Sequence, residues 1–584
     1  MRIERHQVGQ AALSAAREDF TNRIGGQVRS MSRAGRMATY EWQSIAEEFL
    51  DYLGALSVET PDLDTPEAKA ALNDASEAAA GAVAYAAYHP HCTFSVFLEY
   101  VNFGMSYDPG DDSPEERVTP GDWVDALCLA VLRDKAKWHG EAFHFARQKF
   151  AEQAKGTPLG ELATGLTAVA LDDTGDDEEY PPSARAKLAA VDAALDRIRA
   201  RAEATGEPLL DQMNSAALRT LRALAAEDKE AFDSALAGLL SRESTLHGPK
   251  ASPSSLLPLV PIALAALAYR TLGWAPAVHS DYLPHALVTG FETRGPRVAG
   301  FGQNRRPDAV AALATGPLAV ERPACERDVS GIEAMYEEHL QEAFTPVDGK
   351  PLSVGRLSHV LEDQERLFQW RSGNPGDIAA AQLATLRLAS QAGAALFRIA
   401  LAEPDTEVEV SIGGRTLRYP ASRGREAGAG YWQMAVAFAL ITGVREDLAP
   451  LVLTGPTFAG RDGSAFTAYR EALHAYLKGA EPEAAAQRAL HEAEKAKDWG
   501  VAMPPAVLLS QLVEGDEEAF NLALADALEA HRAYYEVADR ADSPEVSVNL
   551  DVLALACHAR RRGWTIRVES PYLPQYLLAT AEPF

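Results

Sequence analysis

The chain is poor in cysteine, in cationic charge, in long apolar runs and in the short motifs of common enzymes, and each shortage excludes something. Its four cysteines, Cys92, Cys128, Cys325 and Cys557, are scattered through 584 residues without a C-x-x-C pair. Neither a disulfide framework nor a cysteine zinc site is indicated, and a reducing compartment is expected. Lys and Arg number 55 against 83 Asp and Glu, a formal net charge of −28. A phosphate backbone needs concentrated cations, so direct nucleic-acid binding is excluded, whereas a cationic partner would be drawn in. The N-terminal "MRIERHQVGQAAL" carries charge where a signal peptide carries its apolar core. The longest apolar run, residues 256–269, is too short and too interrupted by proline to span a bilayer. A soluble, cytoplasmic protein without a membrane partner is expected. No Gly-rich phosphate loop, G-x-S-x-G elbow or H-E-x-x-H motif occurs, and the glycine cluster "GREAGAGYW" lacks the strand–loop–helix setting of a phosphate site.

What the chain does contain is a repeat. "LGWAPAVHSDYLPHALV", beginning at Leu272, returns as "RGWTIRVESPYLPQYLL", beginning at Arg562, with eight of seventeen residues identical, where ordinary frequencies give roughly one. The surroundings repeat in the same order. "DKEAFDSALAGLL" from Asp228 matches "DEEAFNLALADAL" from Asp516 and sets Phe232 against Phe520; the helix before each Gly-Trp pairs Ala266 with Ala556 and Arg270 with Arg560. Trp123 and Trp432 are further partners. With 47% hydrophobic residues and abundant alanine, the expected fold class is mostly α. Two tandem homologous helical domains, residues 1–295 and 329–584, each carry a small β-hairpin or short strands. A Gly/Pro/Arg-rich connector, 296–328, joins them. Arg294, Arg297, Arg305 and Arg306 make that region locally basic, suited to docking on an acidic face of its own chain.

Helical periodicity is clearest over 518–536, where Phe520, Leu524, Leu528, His531 and Tyr535 form one stripe behind the capping residue Asp516. The duplicated segment reads as helix, turn, strand, turn, helix. Trp274, Tyr282 and Pro284 in the first copy, and Trp564, Tyr572 and Pro574 in the second, make a packing corner whose rings fill the core and whose proline fixes the turn. "TEVEVSIGGRTLRY" alternates Val408, Val410 and Ile412 before Gly413-Gly414, a hairpin with a two-residue turn. "CTFSVFLEYVNFGMSY" offers no such turn, so the first copy is expected to diverge there. Two acidic stretches read as exposed loops, 111–116 and 172–179. The second, with Asp172, Asp173, Asp176, Asp177, Glu178 and Glu179, is a candidate partner-binding surface.

Candidate chemistry is confined to carboxylate–histidine pairs at helical spacing: Glu141/His144, Glu471/His474 and Glu243/His247. Two Glu-x-x-His motifs with two further glutamates make a di-metal site in a helical bundle, which would give a metal-dependent enzyme of small-molecule metabolism. Surface ion pairing is the alternative, leaving a non-catalytic interaction scaffold. No cofactor is assigned. His531, on an apolar stripe, is expected to be buried and hydrogen-bonded, and with Arg532 and Tyr535 it is a candidate partner contact. The first copy has Glu243 opposite His531 and lacks the HR-x-Y pattern.

The hairpin "EVEVSIGGRTLRYP", the helices "YWQMAVAFALITG" and "LEAHRAYYE", the C-terminal repeat and the opening "IERHQVGQAAL" together resemble the immunity protein 49 family of bacterial polymorphic-toxin systems. The resemblance covers the second copy well and the first more loosely. It implies a mostly helical protein, encoded beside a toxin, that binds and silences the toxin in the producing cell and its kin, with no catalytic residues to carry over. The acidic surplus suits a basic target such as a nuclease.

Overall fold

A computed structural model describes residues 2–110, 115–175, 180–291, 295–325, 328–346, 351–374, 379–454, 464–497 and 501–581. The chain divides into two compact units, Met1–Arg294 and Gly295–Phe584. Both are mostly helical, with short two-stranded pairings as their only sheet structure among the described residues.

In the first unit, helices start where the sequence supplies caps. Thr65, Thr119 and Thr157 each stand before a proline and accept the backbone N–H three residues on, and Asp228 does the same for the helix Lys229–Leu246. A side-chain cap contributes about 1 kcal/mol, and proline at the first helical position forfeits no bond. The helices Thr39–Glu59 and Pro66–Tyr88 pack along each other, with alanine on most turns of the second allowing it to be buried nearly all round. Trp42, Phe49, Trp123, Phe143 and Phe232 fill the core, and the Trp123 indole donates to the Phe143 carbonyl at 2.9 Å.

The second unit repeats this order. Helices Val354–Ser372 and Ala379–Leu401 pair, the hairpin Glu407–Ile412 with Arg415–Pro420 follows, and then the helix Ala429–Thr442 carries the buried Trp432. The Trp432 indole donates to the Leu451 carbonyl at 2.9 Å. Asp516 caps the helix Glu517–Tyr535, whose stripe of Phe520, Leu524, Leu528, His531 and Tyr535 is buried throughout. In both units the repeated tyrosine, Tyr282 or Tyr572, is fully buried. The tryptophans are not: Trp274 and Trp564 are only partly buried, packed on Phe232 and Phe520 at centroid distances of 6.0 and 5.5 Å. Pro284 and Pro574 stand immediately before the short helices His285–Thr289 and Gln575–Thr580.

The segment read as a connector, 296–328, belongs within the second unit. Leu318–Ala319 pairs in parallel with Val568–Glu569, as Arg2 bridges in parallel to His279 in the first unit. Arg322 donates to the carbonyls of Ser372 and Pro571, and Arg5 donates to those of Ser57 and Asp281. "VERP" from Val320 is therefore the counterpart of "IERH" from Ile3, and the second copy starts inside the supposed connector. Ahead of it, Arg297 grips Asp526 and Glu529 at 2.7 Å, and Arg305 pairs with Asp516 and Glu518. The basic strip thus docks on the acidic face of the helix Glu517–Tyr535. Arg294 lies outside the described residues, and Arg306 turns to Asp308.

One local expectation holds with a changed turn, and two need correction. The first copy keeps its hairpin, Phe94–Leu98 with Phe103–Tyr107, because buried Asp74 accepts the N–H groups of Glu99 and Tyr100 and holds a longer turn in place. The second copy's turn is the expected pair Gly413-Gly414, at φ 57° and 74°. The helix before Gly-Trp is one residue out of the sequence pairing: Arg270 donates to the carbonyls of Val131 and Leu132, and it is Arg561, not Arg560, that holds the matching Leu440 and Ile441. Finally, Pro253–Leu272 has the length and hydropathy of a membrane span, despite its prolines. Its last fourteen residues are the core helix Leu259–Leu272, with Ile262 to Ala266 fully buried.

Candidate functional site

The carboxylate–histidine pairs do not converge. His144 bonds Asp173 at 2.7 Å rather than Glu141, His474 meets the Val452 carbonyl while Glu471 turns to Arg488, and His247 lies 3.4 Å from Glu243. Among the described residues no three His, Cys, Asp or Glu side chains are grouped to hold a metal ion. At the start of the acidic stretch, one residue differs from its exposed reading. Asp172 is buried at 6% exposure, between Lys137 and Lys187, so the two lysines already neutralise it. Asp176, Asp177, Glu178 and Glu179 lie outside the described residues.

His531 and Tyr535 come together at a polar cleft of about 440 Å³ in the second unit. Five further elements build it with the helix Glu517–Tyr535. Glu365 and Gln369 come from the helix Val354–Ser372, Gln433 from Ala429–Thr442, Arg470 from Ala465–Leu477, Glu545 from the turn Pro544–Ser547 and Asp551 from Leu550–Arg561. Gln433 is the hub: its amide N–H₂ donates to Asp551 at 2.6 Å and its oxygen accepts from Arg470 at 2.8 Å. The Tyr535 hydroxyl donates to the Glu545 carboxylate at 2.6 Å. His531, with Asn549 at 3.2 Å and the Glu545 carbonyl at 3.0 Å on its two ring nitrogens, forms the back wall. Arg532 points elsewhere, 3.7 Å from Glu536. Behind His531 and Asn549 opens a second, mainly apolar cavity of about 550 Å³, bounded by Phe301, Leu490 and Met503.

Electrostatics mark the polar cleft. Burial pushes the Glu365 carboxyl up to about 8, and its neighbours Glu545, Asp551 and Glu362 push the same way against Arg366. Burial raises Asp551 to about 6, opposed by Gln433 and Arg470. Burial holds His531 down to about 4, so at neutral pH it is uncharged. Half-buried carboxylates that face a cleft have lost part of their water and gained no full partner, an arrangement that structural ion pairs avoid. A cavity of about 560 Å³ beside His558 has its arginines engaged instead, Arg561 on the carbonyls of Leu440 and Ile441, Arg562 on that of Leu512.

Among the described residues of the first unit the equivalent space is closed. The counterpart turn, Pro253–Leu256, lies directly on the helix Thr39–Glu59 at Gly54, where a Cβ would stand 2.0 Å from the Pro253 oxygen. A cavity of only about 160 Å³ remains, near Asp125 and Glu243. Sequence reasoning found His531 and Tyr535 through their stripe, but missed Glu365, Gln433, Arg470, Glu545 and Asp551, which are scattered over five elements and form no local motif.

The family model for immunity protein 49 matches this chain twice, over residues 60–287 and 375–577. Each match runs from the helices beside the hairpin to the repeated Tyr-Leu-Pro segment at the end of its unit. Comparison with curated proteins and with solved structures gives no match. Two copies of one family pattern, each on its own compact unit, account for most of the chain: it belongs to the immunity protein 49 family.

Proposed function

We propose that the protein binds the toxin encoded beside it and silences it by covering its working surface, in the cytoplasm of the producing cell. The observation that carries this reading is the family match on both units. A stoichiometric inhibitor needs a rigid scaffold and a complementary surface, and the doubled helical body with its capped helices supplies the first. The charge of −28 supports an electropositive target, of which a basic nuclease is the simplest example. The second unit, which carries the large polar cleft, supplies most of the contact. Co-expression should protect cells from the toxin of the neighbouring gene, and the purified full chain should form a stable complex with it. The association rate should fall steeply between low and physiological salt while dissociation changes less, because screening acts on long-range encounter. Absence of a complex would refute this reading; salt-independent association would remove the electrostatic part of it.

A further inference from the structure

The two copies can be laid on one another position by position, and the cleft is where they differ in a concerted way. The frame rests on shared anchors. Trp123 and Trp432 make the same indole bond to a following helix. Thr157 and Ser464 cap equivalent helices. Pro253 and Pro544 open the equivalent turns, and Pro258 and Asn549 stand before the helices that follow. The carbonyls of Ser57 and Ser372 receive the matching arginines. In this frame Leu50, Val124, Ala163, Ser254 and Val260 of the first unit become Glu365, Gln433, Arg470, Glu545 and Asp551 of the second. Where the first unit has four apolar residues and a serine, the second has three carboxylates, an amide and one guanidinium, all lining one cleft.

Withdrawing such groups even partly from water costs stability unless each is paired, and here the pairing is incomplete. Asp551 has Gln433, Glu545 has Tyr535, and Arg470 has Gln433. Glu365, half-buried on the cleft wall, makes no hydrogen bond and no ion pair among the described residues. Three carboxylates face one arginine, so the cavity attracts a cation. Of the protein cations, a guanidinium loses least on leaving water, offers five donors to spread carboxylates, and stacks on rings. Phe466, already under Arg470 at 5.9 Å, and Tyr535 supply such rings at the wall.

We propose that the cleft between Glu365, Glu545 and Asp551 is the socket for an arginine side chain of the protein partner. This rests on the toxin-binding reading above and names its central contact. The first unit, whose equivalent space is closed by the turn on Gly54, has no socket. Entry of a cation favours ionised carboxylates, so binding releases protons near neutral pH and weakens as pH falls through the range in which Asp551 and Glu365 protonate. His531, Tyr535, Glu362, Arg366 and Arg470 are the other titratable or charged groups facing them. His531 is already neutral there.

The test is a calorimetric titration of the full chain with agmatine, a guanidinium on an alkyl chain, at pH 7.5 and pH 5.5, beside Glu365→Leu and Asp551→Asn. The expected result is saturable binding at pH 7.5, weaker at pH 5.5, and reduced about tenfold or more in each variant. Glu365→Leu installs the first unit's residue and should melt at a higher temperature than the parent, so its loss of binding cannot be ascribed to unfolding. No agmatine binding, or binding as tight in both variants as in the parent, would overturn the socket. Saturating agmatine should also slow association with the neighbouring toxin. A toxin that binds equally well with agmatine present, and equally well to Glu365→Leu, would leave the immunity reading standing and remove the socket from it. A toxin that the parent does not bind at all would sink the immunity reading, while the agmatine titration would still report on the cleft.

Discussion

The two units differ most in how they treat the same buried tyrosine. In the first, Tyr282 is saturated: its hydroxyl meets the backbone N–H of His6 at 3.1 Å and the His6 ring at 2.6 Å, and that ring continues to Ser255. In the second, the position of His6 is taken by Pro323, which has no N–H to give. The Tyr572 hydroxyl is left buried without a partner, packed edge-on against His531 at 5.2 Å. The same divergence runs on into the neighbouring cleft, closed by the turn on Gly54 in one unit and held open by polar side chains in the other. Saturated bonding in one copy and unsatisfied groups in the other are what a duplication permits, since one copy can keep stability while its twin accepts costs for a surface.

The comparison can be broken at its strongest common point first. Trp123→Ala and Trp432→Ala each remove a fully buried ring and orphan a carbonyl, and each should cost roughly 3–5 kcal/mol in urea unfolding. Near-equal losses would support equivalent cores; a loss confined to one unit would show that only one Trp is structural. A sharper probe is Gly54→Gln, which gives the first unit the residue that Gln369 occupies in the second. Its Cβ collides with the Pro253 carbonyl, so overpacking should cost about 1–3 kcal/mol, and a variant as stable as the parent would show that the turn is free to lift away. The smallest effect is expected from Pro323→His, which returns the partner that Tyr572 lacks. It should stabilise the second unit by about 1 kcal/mol, read as a rise in its denaturation midpoint, and a fall would mean that the proline's rigidity outweighs the missing bond.

Much of the architecture could be read before any coordinates, because helical stripes and a duplicated Gly-Trp segment are local signals. The stripe ending at Tyr535 is buried as its spacing required, and the Trp123 and Trp432 pairing survives as a matched hydrogen bond. The start of the second copy was hidden because only Glu-Arg remains common to "IERH" and "VERP", too little to outweigh the Gly and Pro around it. Those residues looked like a linker although they form a strand and an arginine clamp. Exposure of Asp172 was misjudged for another reason: its lysine partners come from distant parts of the chain, 35 and 15 residues away. The cleft was illegible for a third reason. Each of its charged residues is ordinary on its own helix, and only folding brings five helices and turns to one wall.

The strand pairing that begins each unit also has a consequence in time. Arg2 and Ile3 are made long before their partner His279, near the end of the first unit. At roughly 5–20 residues per second, a ribosome takes on the order of tens of seconds to supply it. Throughout that interval the first strand waits unpaired and Tyr282 has not yet met His6. The first unit therefore closes only when nearly all of it has emerged, just as translation of the second begins, so the clasp that joins its two ends separates the folding of one copy from the synthesis of a near twin that could otherwise exchange strands with it.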